Sequence, residues 1–97
     1  MSLGKRAQQL FRLGEIVLTP GAIEALDEAL QIPNEFLDRH ATGDWGDLIE
    51  HDRRENERSV REGFRILSVY RTQKDARIWI ITEADRSSTT ILLPKEY

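Results

Sequence analysis

The sequence predicts an α+β domain, with a three-stranded antiparallel meander at its C-terminal end, an N-terminal strand, and three helices packed on one sheet face. Two observations support this fold class. After residue 63 the apolar residues alternate with a period of two, whereas residues 19–62 carry helix signals instead. The 97 residues suffice for a single domain over 1–97, in which we expect residues 1–10 to be partly flexible.

The N-terminal part predicts one strand followed by one helix. Residues 11–18 (FRLGEIVL) are the predicted strand, interrupted by Gly14. Thr19 and Pro20 then open a helix over about 20–31, because threonine caps helices and proline suits the first helical position. A stripe at i, i+3 and i+7 is expected to pack on the sheet; it consists of Ile23, Leu26 and Leu30.

Two more helices are predicted before the meander. The second covers 34–41, and the third begins at a cap formed by Asp44 or Asp47 and ends at Gly63. The middle of the third helix, HDRRENERS, is almost entirely polar, so it needs ion pairs between side chains four residues apart. The candidates are Glu50–Arg54, Arg53–Glu57, Glu57–Arg61 and Arg58–Glu62.

The C-terminal third predicts three strands, near 64–72, 76–84 and 88–94. The segments QKDA and ADRSS provide the turn residues between them. Because such short connections join antiparallel neighbours, the strand over Arg77–Glu83 should lie in the centre of the meander.

Composition and charge exclude several classes of function. The net charge of −3 provides no generally basic surface for nucleic acid, and the lack of cysteine excludes disulfides, zinc fingers and iron–sulfur sites. No apolar stretch approaches the roughly 18–20 residues of a membrane span, and the N-terminus does not resemble a signal peptide. No nucleotide-binding motif occurs. We therefore predict a cytoplasmic protein without membrane association and without a cofactor.

The hairpin segment TEADRSSTT is one candidate site. Its acidic, basic and hydroxyl side chains could form a polar recognition site at one end of the sheet, because arginine binds carboxylate or phosphate and hydroxyls add adaptable hydrogen bonds. The alternative is a turn without further function, since aspartate and serine are good turn formers. The candidate residues are Glu83, Asp85, Arg86, Ser88, Thr89 and Thr90.

A second polar cluster lies in the segment RHATGDWGDL. His40, Asp44 and Asp47 are ligand types that could bind a divalent metal in a small hydrolase or nuclease. Their spacing matches no established ligand signature, and both aspartates can equally well cap a helix. We therefore expect no metal site, with the metal-dependent enzyme as the alternative.

Nucleic-acid binding is the third hypothesis. It would use Lys5, Arg6, Arg12 and the arginines of the third helix. Acidic residues interleave with those arginines, so the net field of the helix is close to zero, whereas phosphate binding needs net positive charge. The sequence therefore argues against a nucleic-acid partner.

The strands are apolar on both faces, which three short helices cannot cover. The uncovered face is expected to bind a protein partner or a second copy of the chain, because large exposed apolar patches mark interaction sites. The alternative is that the chain itself, including the segment around Leu10 and Phe11, covers this face within a monomer. The candidate interface residues are Trp79, Ile81, Leu67, Val69, Ile91 and Leu93.

Several segments carry a resemblance to a known family: GDWGDL at 43–48, YR at 70–71, WIITEADRSSTTILLP at 79–94 and EY at 96–97. They resemble small hypothetical proteins of bacterial plasmids and integrative elements that are described as plasmid-related. The resemblance implies an accessory role in a mobile element, and it implies no catalytic residues. Together with the apolar face, it favours a non-enzymatic binding or interaction module.

Overall fold

The computed structural model describes residues 8–97. The expected flexibility of residues 1–10 therefore concerns mainly residues outside this range. The elements, in chain order, are β1 Glu15–Leu18, α1 Pro20–Ala29, α2 Pro33–Ala41, α3 Glu50–Glu62, β2 Ile66–Arg71, β3 Arg77–Thr82, β4 Ser88–Leu92 and a 3₁₀ turn Pro94–Glu96.

The four strands form one sheet in the order β1-β4-β3-β2. The predicted meander is confirmed: β3 pairs antiparallel with β2 on one side and with β4 on the other. The N-terminal strand extends this sheet by pairing parallel with β4, so the sheet is mixed. The α+β fold class is therefore confirmed, with helices packed on the sheet.

Strand β1 is shorter than predicted because the chain bends at Gly14. This glycine has a φ of 67°, and a β-carbon there would lie 2.4 Å from the carbonyl oxygens of Arg86 and Ser87. Only glycine tolerates both the left-handed conformation and so close an approach of another backbone. Phe11, which the prediction placed in the strand, instead packs in a core cluster with Trp45 and Ile66.

The main core lies between the sheet and the first two helices. Ile78, Ile80 and Ile91 project from the sheet and are completely buried. On the helix side, Leu26 of α1 and Phe36 of α2 pack against them. The smaller cluster around Phe11, Trp45 and Ile66 continues this layer, and Leu48 and Val60 from the region of α3 pack against it.

Helix α1 begins as predicted but buries a different stripe. The Thr19 hydroxyl accepts a hydrogen bond from the Ala22 backbone N–H, and Pro20 occupies the first turn. Leu26 is buried, but Ile23 and Leu30 are exposed, so two of the three predicted stripe residues are wrong. The reason is that small residues allow α1 to lie close to the sheet; these are Ala22, Ala25 and Ala29.

Leu30 ends α1 in an unusual conformation. Its φ is 57°, and the N–H groups of Leu30 and Gln31 bind the carbonyls of Asp27 and Leu26, which is the Schellman arrangement of a helix C-terminus. Glycine normally occupies this position, because a side chain in the left-handed conformation costs about 1–2 kcal/mol. The Leu30 side chain is 88% exposed.

Helix α3 begins at Glu50, later than predicted, and neither Asp44 nor Asp47 caps it. The preceding segment is extended because it pairs with the outer edge of β2: the Val69 N–H donates to the Trp45 carbonyl, and the Asp47 N–H donates to the Val69 carbonyl. Two of the predicted ion pairs form within α3, Arg54–Glu50 and Arg58–Glu62.

The buried Asn56 of α3 completes the cover of this edge. Its side-chain amide donates to the Leu67 carbonyl at 2.6 Å and accepts from the Leu67 N–H at 3.2 Å, as a neighbouring strand would. The backbone groups of Leu67 and Val69 that face away from β3 are therefore all paired. A covered edge cannot pair with another chain.

The 3₁₀ turn after β4 ties the C-terminal residues to the start of α1. The Glu96 carboxylate accepts hydrogen bonds from the Thr19 hydroxyl and the Gly21 N–H. These bonds lower the pKa of Glu96, with the Thr19 bond contributing most. In this position the Tyr97 ring lies against Trp79 on the sheet face opposite the helices, with ring centroids 5.6 Å apart.

Replacement of Leu26 by alanine tests the packing of α1. Because Leu26 is only 2% exposed, Leu26→Ala should lower the free energy of unfolding by about 2–5 kcal/mol. The matched control is Ile23→Ala on the same helix, which should change it by less than about 1 kcal/mol because Ile23 is half exposed. Urea unfolding measures both values; equal losses would contradict this packing.

Replacement of Asn56 by alanine tests the cover of the β2 edge. Asn56→Ala leaves both backbone groups of Leu67 without partners, so we expect a loss of about 1–3 kcal/mol in the free energy of unfolding. The neighbouring exposed Glu55 provides the control, since Glu55→Ala should change stability by less than about 0.5 kcal/mol. Light scattering should also detect self-association of Asn56→Ala alone.

Candidate functional site

The hairpin residues predicted as a polar recognition site largely bind the protein's own backbone. The Arg86 guanidinium donates to the carbonyls of Phe64 and Ser59 at 2.7 and 2.8 Å, and also to that of Glu83. The Asp85 carboxylate accepts the Ser87 N–H, and hydrogen bonds from Ser87 lower the pKa of Asp85. These contacts fold the hairpin and bind it to the end of α3.

The remaining members of that set do not meet at one place. Glu83 forms an ion pair with Arg65 at 3.5 Å, Ser88 and Thr90 are half-buried, and Thr89 is completely buried on the helix-covered face. Strand alternation explains the separation, because Thr89 points to the opposite face from its two neighbours.

His40 lies at the centre of a buried hydrogen-bond chain that the sequence did not predict. Its Nδ1 lies 2.6 Å from the Ser68 hydroxyl on β2, and its Nε2 lies 2.9 Å from the Thr82 hydroxyl on β3. Thr82 in turn contacts the Thr89 hydroxyl on β4 at 2.7 Å. Thr89 donates to the Leu13 carbonyl, so the chain runs from α2 across three strands to the segment before β1.

The direction of this chain determines the tautomer of His40. The Leu13 carbonyl can only accept, so the Thr89 hydroxyl donates to it, and Thr82 must therefore donate to Thr89. The Thr82 hydroxyl has a single hydrogen, so His40 must donate from Nε2. In a neutral imidazole, Nδ1 is then the acceptor for the Ser68 hydroxyl.

Burial, and secondly the positive charge of Arg86, lower the pKa of His40 to about 3. The other groups around the ring are uncharged: the Phe11 ring packs edge-on at a centroid distance of 5.2 Å, and Trp45 lies nearby at 6.1 Å. Without a carboxylate partner, nothing offsets the penalty for a charged imidazole. His40 is therefore neutral at physiological pH and has no access to solvent.

The alternative metal site is not assembled. His40 faces Ser68 and Thr82, whereas Asp44 forms an ion pair with Arg39 at 2.7 Å. The hydrogen bond from Arg39 lowers the pKa of Asp44. Asp47 pairs instead with Arg71 at 3.4 Å. Over residues 8–97, no group of three or more histidine or carboxylate side chains could hold a metal ion.

The arginines of α3 provide little support for nucleic-acid binding. Arg54 and Arg58 form ion pairs with glutamates of the same helix, and Arg53 donates to the Gly46 carbonyl at 2.9 Å. Arg12 is exposed, while Lys5 and Arg6 lie outside the described residues.

Four of the six predicted interface residues share one sheet face. Trp79 pairs with Val69, and Ile81 pairs with Leu67, so these four point to the face opposite the helices. Ile91 and Leu93 do not join them. Ile80 pairs with Ile91, which places Ile91 in the helix-covered core, and Leu93 packs against that same core. The residue of β4 that lies beside Trp79 is Leu92, so this part of the prediction is wrong.

An open pocket of about 320 Å³ lies on this face. Leu67, Trp79 and Ile81 contribute apolar surface, and Tyr97 stands beside Trp79. At the edge, Arg65 donates to the Tyr97 hydroxyl at 3.1 Å. The pocket lining is completed by Ile66 and Asn56.

The roles of Tyr97, Arg65 and Asn56 were not predicted from the sequence. A weak signal existed for Asn56, the only amide in an otherwise charged stretch of α3. Tyr97 gave no signal, because its position depends on the bonds between Glu96 and the start of α1.

Comparison with known proteins gives no relative from which a function could be transferred. The chain matches no family model, and no curated protein or solved structure is significantly similar to it. The resemblance to plasmid-related proteins therefore stays a prediction. Among residues 8–97, no helix has the length and apolar character needed to cross a membrane.

The buried His40 predicts a pH-dependent stability. An unfolded histidine binds a proton below about pH 6.5, whereas folded His40 stays neutral down to a pKa of about 3. The contribution of His40 to the free energy of unfolding is therefore fully present above about pH 6.5. It falls by about 1.4 kcal/mol per pH unit as the pH decreases towards 3.

Urea unfolding between about pH 5 and pH 7 isolates this effect, because most carboxylates stay ionised there. The variant His40→Gln should be less stable at pH 7 but should have a flatter pH profile than the native protein. The exposed His51 is the matched control, and His51→Gln should follow the native profile. Identical slopes for native protein and His40→Gln would contradict a neutral His40.

Proposed function

We propose that the protein is a non-enzymatic binding module. It binds a protein partner through the open pocket lined by Leu67, Trp79, Ile81 and Tyr97, the Trp79 pocket. The observation that supports this function is the open apolar pocket of about 320 Å³ on the sheet face opposite the helices. Concave apolar sites lined by aromatic side chains receive the anchor residues that dominate binding energy in protein complexes.

The shape of this face favours an inserted side chain over a flat dimer interface. Val69, Ile81 and Leu92 are each less than one tenth exposed, and Tyr97 covers part of Trp79. The open apolar area is therefore local rather than broad. A partner that places one leucine or aromatic side chain between Leu67 and Trp79 fits it better than a second copy of the same face.

The edge of the pocket adds polar selectivity. Arg65 is about half exposed, and it shares its interactions between Glu83 and the Tyr97 hydroxyl. An arginine at an exposed edge can bind a backbone carbonyl or a carboxylate of the partner. The accessory role in a bacterial mobile element and the cytoplasmic location, both predicted from the sequence, are compatible with such a module and belong to the same proposal.

Nuclear magnetic resonance with small probes tests the pocket. Trp79 and Trp45 give two indole N–H signals, which Trp79→Phe assigns. On titration with N-acetyl-leucinamide or N-acetyl-phenylalaninamide, we expect the Trp79 signal to shift and the Trp45 signal to stay, because Trp45 is almost completely buried. Absence of any shift at millimolar probe would contradict the proposal.

A pair of charge variants provides the control. Leu67→Glu places a carboxylate in the pocket and should abolish the shift, with the unchanged Trp45 signal showing that the fold is intact. Ile49→Glu changes an exposed isoleucine outside the pocket and should bind as the native protein does. If light scattering instead finds a dimer that Trp79→Glu dissociates, the pocket serves homodimerisation and the proposed partner is wrong.

A further inference from the structure

A second exposed apolar surface lies at the junction of α1 and α2, away from the Trp79 pocket. We define this ridge by Ile23, Leu30 and Ile32, which are 49%, 88% and 60% exposed. Ile23 lies on α1, and Leu30 directly follows the last residue of that helix, in the left-handed position. Ile32 follows directly, at the start of α2.

Glycine would suit the backbone conformation at position 30 better than leucine does. Leu30 occupies the left-handed position of a Schellman helix end, where a side chain is strained. Its side chain is almost fully in solvent, so no packing within the chain offsets that strain. An exposed leucine held in an unfavourable backbone conformation points to a contact outside the protein.

The charges beside the ridge indicate what binds it. Residues 20–38 contain five acidic residues and neither lysine nor arginine. Asp27 follows Ile23 by four residues on the same flank of α1 and precedes Leu30 by three residues, and the Glu35 carboxylate accepts the Ile32 backbone N–H. Within the described chain, neither Asp27 nor Glu35 forms an ion pair.

The opposite flank of α1 differs in this respect. There Glu24 and Glu28 line a separate hollow together with Arg77 and Lys95, so acidic and basic groups are balanced. Along residues 20–38, the acidic side chains without a basic counterpart in the same segment therefore include Asp27 and Glu35, beside the exposed apolar side chains. Such a surface repels nucleic acid and anionic lipid, and it attracts a cationic protein segment.

We propose that the ridge is a docking site for a basic amphipathic segment of a partner protein. The partner's leucines or other apolar side chains cover Ile23, Leu30 and Ile32, while its lysines or arginines face Asp27 and Glu35. Leu30 is the central contact, because its side chain is the most exposed of the three. This surface is independent of the Trp79 pocket, since the two share no residue.

A synthetic probe tests the ridge by fluorescence anisotropy. The probe is a labelled amphipathic helical peptide with leucines on one face and lysines on the other. The comparison peptide has glutamate in place of each lysine. We expect the lysine peptide to bind, its affinity to fall with added salt, and the glutamate peptide not to bind. No binding of the lysine peptide would overturn the proposal.

The variant Leu30→Gly separates binding from folding. Glycine relieves the strain at this position, so the variant should unfold at the same urea concentration as the native protein or a higher one. Its affinity for the lysine peptide should nevertheless fall about tenfold or more. Equal affinity of native protein and Leu30→Gly would overturn the proposal, because the peptide would then recognise only the general negative charge.

Two further measurements define the surface. Ile49→Ser removes an equally large exposed side chain elsewhere and should leave the affinity for the lysine peptide unchanged. Trp79→Phe should also leave it unchanged, so failure at the ridge and failure at the pocket can be told apart. A native dimer that Leu30→Gly converts to a monomer would show that the ridge contacts a second copy, which would overturn the basic partner.

Discussion

A neutral His40 is the constraint on which the centre of the fold depends. Its two ring nitrogens join α2 to β2 and β3, and the Thr82 and Thr89 hydroxyls carry the same chain of bonds to β4 and to the backbone before β1. Each member has one donor or acceptor for its neighbour, so loss of any one leaves a buried polar group unpaired. The chain also defines the strand register, because a slip by one residue would move Thr82 or Thr89 to the other face.

Polar contacts also explain how helix α3, which is nearly all polar, is held against the sheet. Helix α3 has few apolar residues to bury, and the net contribution of its two surface ion pairs is small. What holds it are polar contacts made at fixed positions: Asn56 binds the β2 backbone, and Arg86 binds the Ser59 carbonyl near its end. The helix thus serves as a cover for a sheet edge rather than as a second layer of core.

Local patterns predicted the elements of this fold well, because period-two alternation, a capping threonine and a helix-ending glycine are properties of short segments. It was harder to predict which strand residues share a face of the sheet. The prediction grouped Ile91 with Trp79, but the hairpin between β3 and β4 pairs Thr82 with Thr89, and that phase places Leu92 beside Trp79 instead. Long-range contacts were beyond local reasoning: the sequence offers no sign that His40 meets Ser68, or that Tyr97 reaches Trp79. The pocket could therefore be predicted only as half of an apolar face.

The parallel pairing of β1 with β4 has a consequence for how the chain acquires this fold. Thr19 and Ile91, which meet at the end of that pair, are 72 residues apart, and Leu13 and Thr89 are 76 residues apart. Closing so long a loop loses chain entropy before any stabilising contact forms, whereas the β2-β3-β4 meander closes only short loops. During synthesis the first strand leaves the ribosome long before its partner exists. We therefore expect the meander to form early and β1 to dock last.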